Sequence, residues 1–171
     1  NGTGQCGTGD TTVRYVPTLV ATNVTNAYGC FRHSFGIQGR LFIKKSDGYL
    51  YATGYNGYGQ LGTSDTTDRS TFTQLTSLGN SILGCWPFGA NYGCTFVQKG
   101  DYTIWAFGYN GYGQLGTSDT TNYSTPQNVT TNWGGATGRT ITKMTGGAGC
   151  YSPSTAYAYT TVYMLLDDGT N

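Results

Sequence analysis

The sequence has 171 residues, 28 of them glycine, with 15% aromatic and only 10% charged side chains and a net charge of +1. This balance excludes a disordered chain, which carries few aromatics and many charges. The thin scatter of Lys and Arg lacks the basic concentration of a nucleic-acid binder or a polybasic membrane patch, and no apolar run approaches the roughly 20 residues that span a bilayer.

Abundant Tyr and Thr suit pleated, half-buried surfaces, and abundant Gly and Asn suit tight turns. The chain therefore reads as all-β. In chain order, strands are predicted over 23–28, 41–45 and 49–53, with a hairpin turn at Ser46-Asp47-Gly48. A second set follows over 81–84, 94–98 and 102–107, turning at Lys99-Gly100-Asp101. A third runs over 140–144 and 161–166 and ends on the turn Asp167-Asp168-Gly169. Asp-Gly supplies the positive φ that tight hairpins need. No segment has a 3.6-residue apolar period, so helix should be nearly absent.

Self-comparison organises these elements. The segment from Gly54 to Thr67 recurs unchanged from Gly108 to Thr121, and a weaker copy opens the chain from Asn1 to Thr12. Three repeats follow, over 1–55, 56–109 and 110–171, within one segment. Units of about 50 residues with three or four antiparallel strands are propeller blades. The string Asp-Gly-x-Leu-Tyr-Ala-x-Gly-x-Asn-x-x-Gly-Gln-Leu-Gly, from Asp47 to Gly62, resembles the signature of the regulator of chromosome condensation repeats, and the run from Trp105 to Gly116 matches it again. The family's Gly-x-x-His-Ser element has a counterpart only in Gly29 to Ser34, with one residue too many.

The resemblance implies a β-propeller of about seven blades, of which this chain holds three, so it is expected to be a piece of a longer chain or to be completed by other copies. It also implies that Gly-Gln-Leu-Gly is scaffold. Leu61 and Leu115 should plug the space between blades, Gln60 and Gln114 should satisfy loose backbone groups, and Cys6 takes the leucine's place. The family's founding function is nucleotide exchange on a small GTPase. Similar repeats also occur in bacterial surface proteins and phage tail-fibre proteins, whose composition this sequence resembles more.

Three further features concern recognition. Gly-Cys-aromatic occurs at Cys30-Phe31, Cys85-Trp86 and Cys150-Tyr151, and each is read as opening a loop of about ten residues on one face. The cysteines are either small buried apolar residues or, at Cys85 and Cys94, a disulfide stapling the second loop. Tyr55, Tyr58, Tyr109 and Tyr112 recur at blade-edge turns, where rings either pack between blades or stack on sugars or other chains. The candidate ligand-binding residues are Phe31, His33, Trp86, Tyr92, Tyr151, Tyr58 and Tyr112. The Thr-Ser-Asp-Thr-Thr stretches are expected to make turns through Asp65 and Asp119.

Catalysis finds no support. Glutamate is absent, and the eight aspartates fall mostly in turns. His33 is the single histidine and has no orienting acid near it in sequence. Neither a metal-ligand spacing nor a phosphate-cradling loop is present, so no catalytic residue, metal or cofactor is assigned. The expected function is a non-enzymatic adhesin or receptor-binding module on an extracellular or virion surface, with a cell-surface glycan or protein as partner. It is expected neither to bind nucleic acid nor to insert in a membrane. The alternatives are a structural protein packed against neighbouring chains in a fibre, virion or filament, and a guanine-nucleotide exchange regulator.

Overall fold

Short extended runs, cut by Gly, Asp and Asn, form ten strands among the residues that the computed structural model describes, 1–30, 38–89, 92–133, 138–146 and 162–167. They are β1 (Val24–Cys30), β2 (Arg40–Lys45), β3 (Leu50–Gly54), β4 (Arg69–Gln74), β5 (Ile82–Phe88), β6 (Cys94–Lys99), β7 (Ile104–Gly108), β8 (Tyr123–Asn128), β9 (Ile141–Gly146) and β10 (Val162–Leu166). Among the described residues the only helical segments are two 3-10 turns, Thr76–Leu78 and Thr130–Trp133. No helix there is long and apolar enough to cross a membrane.

The strands form two four-stranded antiparallel blades, β1-β2-β3-β4 and β5-β6-β7-β8, and a two-stranded sheet of β9 and β10. The registers of the two blades superimpose. Arg40 faces Gly54 as Cys94 faces Gly108, and Ile43 faces Tyr51 as Val97 faces Trp105. The fourth strands, β4 and β8, were not predicted from the sequence.

Hydrophobic burial falls between sheets. Phe42, Leu50, Ala52, Leu75 and Leu78 of the first blade meet Ile82, Cys85, Val97 and Phe107 of the second, with Leu61 inserted from the connector. A second cluster joins Phe96, Ile104, Ala106 and Leu115 to Ile141 and Met144 of the third sheet. The middle strand β6 is consequently buried on both faces from Cys94 to Gln98. Each completely buried leucine contributes about 1.5–3 kcal/mol.

The second blade corrects the cysteine alignment. Cys85 lies opposite Val97, which places it level with Ala27 of the first blade, whereas Cys30 lies opposite Arg40, level with Phe88. The connection over 31–39 is longer than that over 89–93, so a fixed count back from the hairpin turn lands three registers apart. Residues 86–88 continue β5 instead of opening a loop. The disulfide is not formed either, and Cys85 and Cys94 are both free thiols. Cys94 lies opposite Phe88, three registers from Cys85, and an odd offset puts the two side chains on opposite faces. Burial pushes the Cys94 thiol up to about 12, and the Cys85 thiol also upwards. Both therefore behave as small apolar residues.

The two hairpins differ at the left-handed position of the turn. Gly48 takes φ 83° after Asp47, and the residue at the same register after Asp101 is Tyr102, at φ 64°, because the glycine of that turn stands before the aspartate. A non-glycine residue there costs about 1–2 kcal/mol. Tyr102→Gly is expected to stabilise the protein by about 1 kcal/mol in thermal or denaturant unfolding. Equal or lower stability would contradict the assignment of strain to that residue.

Candidate functional site

The site is built on the glycine-rich connector between the third and fourth strands of a blade. In the first blade it leaves β3 at Gly54 and rejoins at β4. Asn56 is completely buried and closes the excursion: its Oδ1 accepts from Leu61 N at 2.9 Å, and its Nδ2 donates to Thr63 Oγ1 at 3.1 Å and to the carbonyls of Asp65 and Thr67 at 2.9 and 3.1 Å. Asn110 repeats the set with Leu115, Thr117 and Asp119. Asn1 repeats it with Cys6, Thr8, Asp10 and Thr12. Gln60 Oε1 accepts from Tyr58 N at 2.8 Å, and Asp65 Oδ1 from Thr67 N at 3.0 Å, in the backbone-satisfying and turn-making roles expected of them.

The connector docks on the following blade. Thr95 Oγ1 donates to Gln60 O at 2.9 Å, and Ser64 N to Ser124 O at 2.9 Å. Gly59, at φ 78°, lies so close to β8 that a Cβ on it would fall 2.4 Å from Ser124 Cα. The segment opening the chain docks on the first blade likewise, with Thr53 Oγ1 donating to Gly4 O at 2.9 Å.

What the connector turns away from the blades is aromatic. The ends of the strands at Cys30, Arg40, Gly54 and Arg69 are level, as are those at Phe88, Cys94, Gly108 and Tyr123. The β3–β4, β5–β6 and β7–β8 connections therefore leave from one edge. Tyr58 from the first, Tyr92 from the second and Tyr109 from the third converge, with ring centroids 5.3 Å (58–92), 5.2 Å (58–109) and 4.9 Å (92–109) apart. Tyr112 stands 6.0 Å from Tyr109, beside this triangle of rings, and is 61% exposed. Tyr55 and Tyr109 fold back over Gly57 and Gly111, where a Cβ would meet each hydroxyl at 2.3 and 2.2 Å.

Electrostatically the seam is quiet. Burial, and then the neighbouring phenols, raise Tyr55, Tyr58 and Tyr109 above the usual phenol range, so their hydroxyls stay neutral donors. Beneath Gly93, the completely buried Arg40 guanidinium donates to the carbonyls of Phe88 and Cys94 and ties the blades together. Asp68 accepts from Asn56 N at 2.7 Å, and its carboxyl is pushed up by burial.

Of the residues singled out in the sequence, Tyr58, Tyr92 and Tyr112 come together. Trp86 does not join them: it lies along β5, its ring over Gly84, half-buried against the second core. Phe31, His33 and Tyr151 lie outside the described residues. Tyr55 and Tyr109 complete the seam, and their signal was the same Asn-Gly turn that drew attention to Tyr58 and Tyr112. Among the described residues no group of three potential ligands could hold a metal ion.

Comparison with known proteins agrees with this architecture. The model of the regulator of chromosome condensation (RCC1) repeat matches residues 103–150. The chain is 33% identical over 132 residues to the probable E3 ubiquitin-protein ligase HERC4 of Homo sapiens, covering 76% of this chain and 12% of that protein. It is 32% identical over 133 residues to the X-linked retinitis pigmentosa GTPase regulator of Canis lupus familiaris, covering 76% and 13%. The chain thus spans about an eighth of the length of these relatives. Among solved structures it is similar to human WBSCR16, with TM-score 0.57, 18% identity, and coverage of 75% of this chain and 32% of that one. Prp20p of Saccharomyces cerevisiae, described with its binding to Gsp1p and histones, gives TM-score 0.51, 15% identity, and coverage of 74% and 32%.

The second connector supplies an internal control for Asp68, because Asn122 takes its place and accepts from Asn110 N at 2.7 Å. A carboxyl raised in the folded state stabilises only while protonated, and that contribution is lost as pH rises through its folded value. Asp68→Asn keeps the hydrogen bond without the charge. Its stability relative to the parent is therefore expected to grow as pH rises from about 3 to 7, measured by denaturant unfolding at each pH. A flat difference would contradict this.

Proposed function

Because this chain is built of regulator of chromosome condensation repeats, we propose that it is a non-catalytic recognition module of an extracellular or virion-surface protein, acting as an adhesin or receptor-binding surface. Proteins with these repeats use the propeller as a scaffold, and on a rigid scaffold recognition resides in the connections. The observation that carries the reading is the tyrosine seam. Three connections from two blades deliver four rings within 6.0 Å of a neighbour, at the edge where Tyr112 is exposed. Tyrosine gives large contact area at small ordering cost. The scarcity of charge also fits a surface that meets a receptor without electrostatic steering.

A second reading is regulation of a small GTPase, supported by the name of the relative from Canis lupus familiaris and by the yeast Prp20p fold. The two readings separate experimentally. With the intact protein, the double substitution Tyr58→Ala and Tyr112→Ala is expected to reduce binding to host cells by about tenfold or more while the far-ultraviolet spectrum is retained. Unchanged cell binding, together with accelerated release of labelled GDP from a small GTPase, would transfer the assignment to the second reading.

A further inference from the structure

We propose that the asparagines heading the connectors are sites of spontaneous deamidation, held in check by the fold, and that the reaction unlocks a connector irreversibly. The proposal concerns Asn56-Gly57 and Asn110-Gly111 and is independent of the recognition reading. Three observations carry it.

The first is where the labile pair occurs. Asn-Gly stands three times in the sequence, at 1–2, 56–57 and 110–111, and each time at the head of a connector. Glycine has no Cβ to hinder its backbone nitrogen, so Asn-Gly closes into a cyclic imide more readily than asparagine before any other residue. The structure accounts for both members of the pair. The asparagine closes the loop through both ends of its amide, and Tyr55 and Tyr109 fold over Gly57 and Gly111, where a Cβ would meet each hydroxyl at 2.3 and 2.2 Å.

The second is how the fold restrains the reaction. Asn56 and Asn110 are completely buried, whereas Gly57 and Gly111 are exposed. In the reaction Gly57 N gives up its proton and bonds to Asn56 Cγ, the Cγ–Nδ2 bond breaks, and ammonia leaves. Water then opens the imide at either carbonyl, giving aspartate or, with the main chain rerouted through the side chain, isoaspartate. Loss of ammonia removes the donor to Thr63, Asp65 and Thr67, and ring closure draws Oδ1 away from Leu61 N. The connector must therefore open before the reaction runs, and the free energy of that local opening sets the rate.

The third is why the product cannot reclose. Asn56 Nδ2 faces the carbonyls of Asp65 and Thr67 and lies 3.2 Å from Asp65 Oδ1. Asn110 Nδ2 faces Asp119 O and lies 3.1 Å from Asp119 Oδ1. A carboxylate in either place has no proton to donate and sets a buried negative charge against these oxygens. Isoaspartate also lengthens the main chain between residues 56 and 57. Either product loses the closed loop that inserts Leu61 between the blades.

The test incubates the intact protein in mildly alkaline buffer, folded and in urea, and quantifies aspartate and isoaspartate at each site by peptide mapping. Conversion at 56 and 110 is expected in both conditions, and about 100-fold more slowly in the folded protein. Thr95→Ala removes the hydroxyl that docks Gln60 O of the first connector, so it should speed conversion of Asn56 by about tenfold and leave Asn110 unchanged. The deamidated fraction, separated by ion exchange, should show faster amide exchange at Leu61 or Leu115, according to the site converted. Equal rates in folded and unfolded protein, no conversion of Asn56 in folded Thr95→Ala, equal acceleration of both sites, or a deamidated fraction with both amides still protected would each overturn the proposal. Should Thr95→Ala not fold, the comparison with urea and the separated fraction decide.

Discussion

One buried side chain organises this molecule, the asparagine at the head of each connector. Asn56, itself completely buried, makes hydrogen bonds to backbone and hydroxyl groups spread over residues 61–67, with the bond from Leu61 N out of water and the others at the part-buried rim of the loop. With these bonds unmade, the Leu61 N–H would be left buried and unsatisfied, at a cost of about 1–3 kcal/mol, and the loop would lose the bonds that close it. Only an uncharged side chain with both a donor and an acceptor end fits, because the same residue accepts from Leu61 and donates to carbonyls. The identity of Asn1, Asn56 and Asn110 across the three connectors follows from that double requirement.

The closed connector then works in two directions. Inward, it inserts Leu61 between blades and brings Gly59 against β8, where any side chain would collide with backbone. Outward, the turn it encloses presents the tyrosines. Packing and recognition are thus two faces of one loop, and the glycines serve both. Polar bridges repeat the same logic between sheets: Lys44 Nζ donates to Ile82 O at 2.7 Å, and Gln98, at the equivalent register, spans to Arg139 O and Ile141 N. Arg40 adds a buried cation satisfied by carbonyls of the next blade. The segment that opens the chain carries Cys6 in place of leucine and docks on the first blade through Thr53 of β3, which donates to Gly4 O, and through Gly9 N to Ser70 O of β4, the counterpart of Ser64 N to Ser124 O.

Much of this was legible in the sequence because it is local. The repeat, the hairpins and their turns, the strands of alternating Leu, Tyr and Ala, and the backbone role of Gln60 all depend on residues a few positions apart. The fourth strands were not legible. Arg69–Gln74 and Tyr123–Asn128 are polar outer strands with little apolar alternation, and Pro126 argues against a strand anywhere but at an edge. Nor was the register of the cysteines, since a difference in loop length between the blades shifted one by three positions and turned it to the other face. The seam was half legible. Asn-Gly turns flagged its tyrosines one blade at a time, but the meeting of Tyr92 with Tyr58 and Tyr109 depends on how blades dock, which no local pattern encodes.

The central claim is that the asparagine-closed connector supports both the packing of the blades and the tyrosine seam. The most direct measurement is native-state hydrogen exchange on the intact protein carrying Asn56→Ala. The account predicts a loss of about 3 kcal/mol or more in global stability and faster exchange at Leu61 N and at Ser64 N, the amide bonded to the neighbouring blade. Stability within about 0.5 kcal/mol of the parent, with both amides still protected, would contradict it.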